Sequence, residues 1–217
     1  MARRFFYTTG KHKHMYLLFL FLIQIIWFFY DEKVVRVPKY IMFSNLDTYI
    51  PFVKEFVVMY VFWYFYMVIA FIYLGITSPP DFCKLFIFIF AGMTIAHIVY
   101  LVFPNGQNLR PYISGNDIFS KTIKYIYSID TPTNVSPSVH VINSIGIFIV
   151  MAKSQRLKKN TAIKILLFMC TLSITMSTLF IKQHSIVDVF YSIIVSALLY
   201  ILIYKFKWSY IHKANAK

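Results

Sequence analysis

The sequence contains few charged residues, and acidic residues are the scarcest of them. Charged side chains make up 14% of the 217 residues, and Asp and Glu together number 8, whereas an average soluble domain is about 25% charged. Disordered chains need the opposite composition, with much charge and little apolar surface. The composition therefore excludes a disordered chain and argues strongly against an ordinary soluble domain.

Cysteine is scarce as well. The chain has Cys83 at one end of an apolar stretch and Cys170 in the middle of another, so a disulfide between them is not expected. No Cys-x-x-Cys pair and no cluster of carboxylates indicates a metal or redox site. The sequence therefore implies no bound metal and no cofactor.

Apolar residues, by contrast, are abundant: they make up 59% of the chain, aromatic residues reach 20%, and the mean hydropathy is +0.64. They are concentrated in six stretches, and a helix needs roughly 20 such residues to cross the hydrocarbon core of a membrane. The sequence predicts an all-α, polytopic membrane protein whose residues 1–217 form one domain, a bundle of six transmembrane helices. The first and fourth stretches are the shortest. In order they are Met15 to Tyr30, Phe56 to Ile76, Leu85 to Phe103, Val139 to Ala152, Thr161 to Ile181 and Ser185 to Tyr204.

Three features lie outside the predicted transmembrane segments. A basic stretch precedes the first segment, but no small-residue cleavage site follows it, so we expect a retained helix and not a signal peptide. The segment from Asp31 to Glu55 is predicted to be an outer loop. In the loop between the third and fourth segments, Ile118 to Tyr127 has apolar residues at helical spacing and two lysines. That pattern predicts a short interfacial helix on the membrane surface, although a solvated loop helix fits it equally well.

The net charge of +14 does not indicate a nucleic-acid partner, because bilayer-length apolar stretches separate the basic segments. The positive charges instead indicate orientation. Six crossings place both termini on one side, and the segments of that side carry 14 of the 22 Lys and Arg residues but only 1 of the 8 acids. The positive-inside rule makes that side cytoplasmic. We therefore predict cytoplasmic termini, an integral, multi-pass location in the plasma membrane, and an outward-facing loop from Pro104 to Ser138.

Three short motifs place polar residues at the predicted outer ends of helices. The first, Asn108 to Pro111, contains Arg110 just after the third segment. A guanidinium presents a planar fork of donors that suits two phosphate oxygens, and the following proline biases Arg110 toward an extended backbone. An arginine that simply reaches the headgroups would explain the motif as well.

The second motif, Pro137 to His140, lies at the start of the fourth segment. Asn134 or Ser136 is predicted to cap this helix, and the proline fits its first turn. Unpaired N–H groups there form an anion site that the helix dipole strengthens. Ser138 can add a hydroxyl and His140 an imidazole. A histidine packed at an interface is the simpler alternative.

The third motif pairs His184 with Asp188 at the start of the sixth segment. A spacing of four residues puts the imidazole and the carboxylate on one face of a helix. The carboxylate can accept the proton of one ring nitrogen, which leaves the other nitrogen as a nucleophile or base. A hydrogen-bonded pair with a purely structural role fits the motif equally well.

In combination, Arg-Pro, Pro-Ser-x-His and His-x-x-x-Asp occur in this order at three helix ends of one predicted face. The sequence thereby resembles the type 2 phosphatidic acid phosphatase superfamily of integral-membrane lipid phosphatases and phosphotransferases. The resemblance implies that His184 attacks phosphorus, Asp188 orients it, and His140 protonates the leaving oxygen and then activates the acceptor. It also implies phosphate binding by Arg110 and Ser138, with no metal.

Two positions depart from the family pattern. The family usually has Lys where this chain has Phe103, and Ser-Arg where it has Ser177 and Thr178. Lys182, two residues before His184, is a candidate phosphate-binding residue that could replace one of these cations. The reduced cationic character resembles the branch near the inositol-phosphoryl lipid transferases.

The resemblance implies a metal-independent phosphatase that acts at the outer leaflet on a phosphatidic acid-like lipid or a polyprenyl pyrophosphate, through a phosphohistidine. Its expected partners are this phospholipid or polyprenyl phosphate substrate and the surrounding membrane lipids. One alternative is a phosphotransferase that moves the phospho-head group onto a lipid or alcohol. Another is a non-enzymatic lipid transporter or proton-coupled transporter.

His97, in the third segment, is expected to be a core histidine bonded to a neighbouring helix.

Overall fold

A computed structural model describes residues 13–205 of the chain. The described residues are mostly helical, with a 3-10 helix leading into the first α-helix and a π-helical turn extending the last. Two-residue strands, β1 at Tyr40–Ile41 and β2 at Asn105–Gly106, pair in parallel. The α-helices are α1 (Phe21–Val34), α2 (Val57–Thr77), α3 (Pro79–Val102), α4 (Ile118–Ile129), α5 (Val139–Lys153), α6 (Thr161–Phe180) and α7 (Ile186–Tyr200); the flanking turns are Lys13–Leu20, Asn45–Thr48, Lys54–Phe56 and Ile201–Lys205.

Five helical stretches are long and apolar enough to cross a membrane. Their outer surfaces carry large exposed apolar side chains, such as Ile26, Phe65 and Leu166, which suit contact with lipid rather than water. The prediction of a mostly helical chain with several such helices is confirmed. The sixth predicted crossing, by the shorter α5, stays a prediction. The five stretches are Lys13–Val34, Lys54–Thr77, Pro79–Val102, Thr161–Phe180 and Ile186–Lys205.

Two predicted boundaries were wrong. The first helix continues to Val34, so Asp31 and Glu32 belong to its last turn and not to an outer loop. Both carboxylates have partners in neighbouring elements, which offsets the cost of burying them. The third predicted segment begins six residues early, at Pro79, because a proline in the first helical turn gives up no helical hydrogen bond.

Helix α5 lies at the centre and packs against α2, α3, α6 and α7. Its contact with α3 is close because each helix presents a glycine to the other. A Cβ atom on Gly92 would lie 2.6 Å from Ile142, and one on Gly146 would lie 2.5 Å from Phe88. Small residues let two helix backbones approach closely. This contact fixes the first half of α5 against the middle of α3.

The helices alternate in direction, so one end of the bundle gathers the end of α1, the start of α2, the end of α3, the start of α5, the end of α6 and the start of α7. We call it the site end, because all three sequence motifs lie there. Helix α4 packs against the start of α2 at the same end. Most of the predicted cytoplasmic lysines and arginines belong to the opposite end or to the two termini, which lie outside the described residues.

Candidate active site

His184 lies in the turn between α6 and α7, one residue before the N-cap of α7. The prediction placed it on the helix itself, but α7 begins at Ile186 because Ser185 and Asp188 form a capping box. The Asp188 carboxylate accepts a hydrogen bond of 2.8 Å from the Ser185 N–H. The same oxygen, Oδ2, lies 3.4 Å from His184 Nδ1. The cap therefore directs the carboxylate to one side of the imidazole and leaves Nε2 on the other.

His140, the second residue of α5, lies next to His184. The centres of the two imidazole rings are 5.9 Å apart. Tyr60 and Trp63 of α2 hold the His140 ring, with centroid distances of 4.4 Å and 4.3 Å. Neither His140 nitrogen has a hydrogen-bond partner within residues 13–205. The His140 ring therefore has hydrogen-bonding capacity that no described residue uses.

Ser138 links the start of α5, which carries His140, to α7, which follows His184. It is the N-cap of α5, with no capping bond from its side chain, so the prediction of Asn134 or Ser136 as the cap was wrong. The N–H groups of Val135 and Ser136 bind the Asn105 side chain instead, which keeps that segment out of the helix.

The backbone of Ser138 is held by Ser192 of α7. The Ser138 N–H donates to Ser192 Oγ at 2.7 Å, and the Ser192 hydroxyl lies 2.6 Å from the carbonyl of Asp188, to which it donates. This bridge keeps the first turn of α5 in register with the first turn of α7. The Ser138 hydroxyl is itself fully buried and has no partner among the described residues.

The terminal nitrogens of Arg110 bind other residues of the protein. Its guanidinium donates to the backbone carbonyls of Tyr127, Asp130 and Thr131 and to the side-chain oxygen of Gln183. It also stacks on the Tyr127 ring at 4.2 Å. Burial lowers the pKa of Arg110, and the nearby Asp130 carboxylate opposes this decrease. The cation thus joins the loop after α4 to Gln183, the residue before His184. Arg110 does not line the cavity that contains the two histidines.

Lys182 binds backbone carbonyls of the segment before α2 through its ammonium. Its φ of 55° turns the chain sharply, and its ammonium donates to the carbonyls of Asp47 at 3.0 Å and Ile50 at 2.5 Å. Burial lowers the pKa of Lys182, and Asp47 counteracts this effect. The structure therefore places Lys182 in the support of the His184 turn and does not bring it to the cavity.

Asp47 is a positioning residue that sequence reasoning missed. Its carboxylate, 2% exposed, accepts hydrogen bonds from the Ser185 hydroxyl at 2.6 Å and the Ile186 N–H at 2.8 Å. It also forms a capping box with Ser44. The Ser-x-x-Asp spacing at Ser44 is a recognisable signal for that local cap. Nothing in the sequence indicated that the same carboxylate would bind the start of α7.

Replacing Asp47 with alanine should lower the free energy of unfolding by about 1–3 kcal/mol, because two buried donors at the start of α7 would lose their acceptor. The measurement is denaturant or thermal unfolding of the purified protein in detergent. Glu55→Ala is the matched control, since Glu55 is an exposed acid whose removal should change stability by less than about 0.5 kcal/mol. Equal effects of the two substitutions would contradict the positioning role.

Both histidines line a cavity of about 650 Å³ at the site end, which we call the histidine cavity. Its wall is mostly apolar and aromatic and comes from α1, α2, α3 and α4. Asp130 adds a carboxylate, which the Tyr60 hydroxyl and the Gln183 amide approach to 3.1 Å and 3.2 Å. Burial raises the pKa of Asp130, and Arg110 opposes the rise. Sequence reasoning did not single out Asp130.

His97 also lines the histidine cavity. It was expected to bond a neighbouring helix, and its Nδ1 lies 2.6 Å from Asp31 Oδ2 of α1. The expectation of a bonded core histidine is therefore confirmed. That the residue faces the same cavity as His140 and His184 was not predicted.

The arrangement supports nucleophilic and acid–base chemistry. One imidazole lies beside a carboxylate, which can orient it and stabilise its positive charge, and a second imidazole 5.9 Å away can exchange a proton with a group held between them. Within residues 13–205, no three His, Cys, Asp or Glu side chains are grouped closely enough to hold a metal ion.

Comparison of the chain with family models, with curated proteins and with solved structures found no match in any of the three.

Proposed function

We propose that the protein is a metal-independent lipid-phosphate phosphatase of the type 2 phosphatidic acid phosphatase kind. The observation that carries the proposal is the meeting of His140 and His184 at one mostly apolar cavity, with Asp188 beside His184. The two imidazoles come from residues 44 positions apart (184 − 140). Histidine, histidine and carboxylate are the groups needed to transfer a phosphoryl group by way of a covalent intermediate.

In the first step, His184 Nε2 attacks phosphorus, so that an N–P bond forms and the bond to the lipid oxygen breaks. His140 gives its proton to that leaving oxygen. In the second step, His140 takes a proton from water, the resulting hydroxide attacks phosphorus, and the N–P bond breaks to release inorganic phosphate. An oxygen between two rings whose centres are 5.9 Å apart can lie within reach of a nitrogen of each, at about 3 Å.

The phosphate oxygens need donors, and the start of α5 supplies them. The first N–H groups of a helix have no intrahelical acceptor, and they attract anions together with the helix dipole. The Ser138 hydroxyl, which lacks a partner among residues 13–205, lies at the same terminus. Arg110 adds positive potential from behind Gln183 and holds the turn that carries His184.

A lipid is the substrate class that fits the cavity. Apolar and aromatic side chains from four helices can bury an acyl or prenyl chain, while the phosphate reaches the histidines. We propose a phosphatidic acid-like lipid or a polyprenyl pyrophosphate, bound at the outer leaflet of the plasma membrane. In this proposal α5 completes six crossings, the termini are cytoplasmic, and α4 lies in the membrane interface with Ile123 packed inward and Tyr125 exposed.

The proposal is tested by incubating the purified full chain in detergent with phosphatidic acid, lysophosphatidic acid and a polyprenyl pyrophosphate, with and without a chelator. We expect release of inorganic phosphate from at least one lipid, at a rate that the chelator leaves unchanged. Absence of release from all of them, or its loss on chelation, would contradict the proposal.

The same incubation with added long-chain alcohols separates hydrolysis from transfer. A new lipid phosphate formed at the expense of inorganic phosphate would identify a phosphotransferase with the same first step. A transporter that uses the histidines as a proton relay would instead move lipid or protons across proteoliposomes and release no phosphate.

A further inference from the structure

The histidine cavity contains a second histidine–carboxylate pair. His97 of α3 and Asp31 of α1 are each 2% exposed, and their side chains approach to 2.6 Å. The Trp27 ring stacks on the imidazole with 5.1 Å between centroids and 12° between planes. Both members of the pair line the same cavity as His140 and His184. The geometry of this pair is tighter than that of His184 with Asp188, which are 3.4 Å apart.

A purely structural role explains only half of the pair. The contact between His97 Nδ1 and Asp31 Oδ2 helps to join α1 to α3, which Gln24 and Thr94 already join by a hydrogen bond of 2.9 Å. The other two polar atoms, His97 Nε2 and Asp31 Oδ1, are buried and have no hydrogen-bond partner in the part of the chain that the structure describes. Buried polar atoms without a partner are costly. Their position in the cavity wall makes them available to a bound molecule.

The chemistry of the two atoms selects the ligand group. When Asp31 accepts the Nδ1 proton, His97 Nε2 is an acceptor; when the ring is protonated, Nε2 is a donor. A hydroxyl fits both states of the ring, because it can donate to Nε2 of the neutral ring, or accept from Nε2–H of the protonated ring while it donates to Asp31 Oδ1. A phosphate group fits poorly, because it only accepts hydrogen bonds when fully ionised and the adjacent carboxylate repels it.

We propose that His97 and Asp31 form a subsite that binds a hydroxyl group inside the histidine cavity. The inference rests on the proposed function and deepens it, since it selects hydroxyl-bearing lipids as the molecules that this phosphatase binds best. The hydroxyl belongs either to the phosphorylated lipid itself or to an alcohol that accepts the phosphoryl group. The hydrogen bonds to the hydroxyl are the same in both cases, and two arms of one binding experiment separate the two sources.

The first arm measures, by calorimetry in detergent, the affinity of the full chain for short-chain lysophosphatidic acid and for its analogue without the hydroxyl. The wild type should bind the hydroxyl compound about 5–10-fold more tightly, as expected for one net hydrogen bond. His97→Phe keeps a ring against Trp27 but has no nitrogen, so it should bind the two compounds equally. A merely structural role would weaken both affinities and leave their ratio unchanged.

The second arm measures, in the presence of the deoxy lipid, the affinity for 1-octanol and for its methyl ether. A preference for the alcohol that His97→Phe removes assigns the hydroxyl to an acceptor. The matched control is His14→Phe, because His14 is a buried histidine that bonds Gly75 at the opposite end of the bundle; its ratios should equal those of the wild type.

Absence of a hydroxyl preference in both arms, or a preference that survives in His97→Phe, would overturn the subsite. Both arms are run with His184→Ala present in every variant, so that the proposed reaction cannot consume the lipid and the binding result is independent of that reaction. Release of phosphate is assayed separately with His184 intact. A preserved preference without release of phosphate from either lipid would contradict the phosphatase proposal and leave the hydroxyl subsite supported.

Discussion

Replacing His184 with alanine is expected to lower kcat for phosphate release by about 10⁴–10⁶-fold, as loss of a catalytic nucleophile does in other enzymes. The Nε2 atom of this ring is the proposed nucleophile, and no other imidazole of the histidine cavity lies beside Asp188. Because the ring is close to the surface of the cavity and the α7 cap does not depend on it, the variant should fold. The measurement is release of inorganic phosphate from the best lipid of the substrate panel.

His14→Ala is the control for this substitution. It also removes a buried histidine. That histidine lies beside the end of α2 opposite the site, about 20 Å from the site at 1.5 Å per helical residue. Its turnover per folded molecule should match that of the wild type. If His184→Ala retained turnover within tenfold of the wild type while folded, His184 would not be the nucleophile.

Replacing His140 with alanine is expected to give a loss that depends on the leaving group. For a lipid phosphate the leaving alkoxide needs a proton, and loss of a general acid should lower kcat by about 10²–10⁴-fold. For p-nitrophenyl phosphate the leaving group needs no proton, so the first step should survive. The second step should still fail, because no base remains to activate water.

The variant should therefore release a burst of p-nitrophenol equal in amount to the enzyme, followed by very slow turnover. Stopped-flow absorbance measures the burst, and the wild type should show continuous turnover instead. A burst-free reaction in which both substrates slow by the same factor would indicate that His140 only binds phosphate or only supports the fold.

Much of the helical architecture follows from the length of the apolar stretches. The fourth stretch begins at Val139, as α5 does, but its cap was predicted two or four residues too early. The approach of His140 to His184 was an inference from motif order and from their shared predicted face. What the sequence did not indicate were contacts between distant residues that have no periodic pattern. Asp31 is the example on α1: the apolar stretch ends at Tyr30 in the sequence, so Asp31 was predicted to be in a loop.

The contacts of the cationic residues at the site could not be predicted from the sequence either. Arg110 was predicted to bind phosphate because of its fork of donors and the family resemblance, and Lys182 because it is a cation two residues before His184. The structure gives both cations backbone carbonyl partners, at Asp130 and Thr131 for the first and at Asp47 and Ile50 for the second. Backbone carbonyls exist at every position, so no residue pattern reveals which of them will face a buried cation.

A phosphatase that works through His184 must carry phosphate on that residue during turnover, and this can be measured. His140→Ala is mixed with p-nitrophenyl phosphate and quenched in base, which preserves phosphohistidine, and its peptides are then sequenced by mass spectrometry. We expect one phosphate per molecule, attached to the imidazole of His184. Phosphate on another residue, or a burst of product with no phosphate bound to the protein, would contradict it.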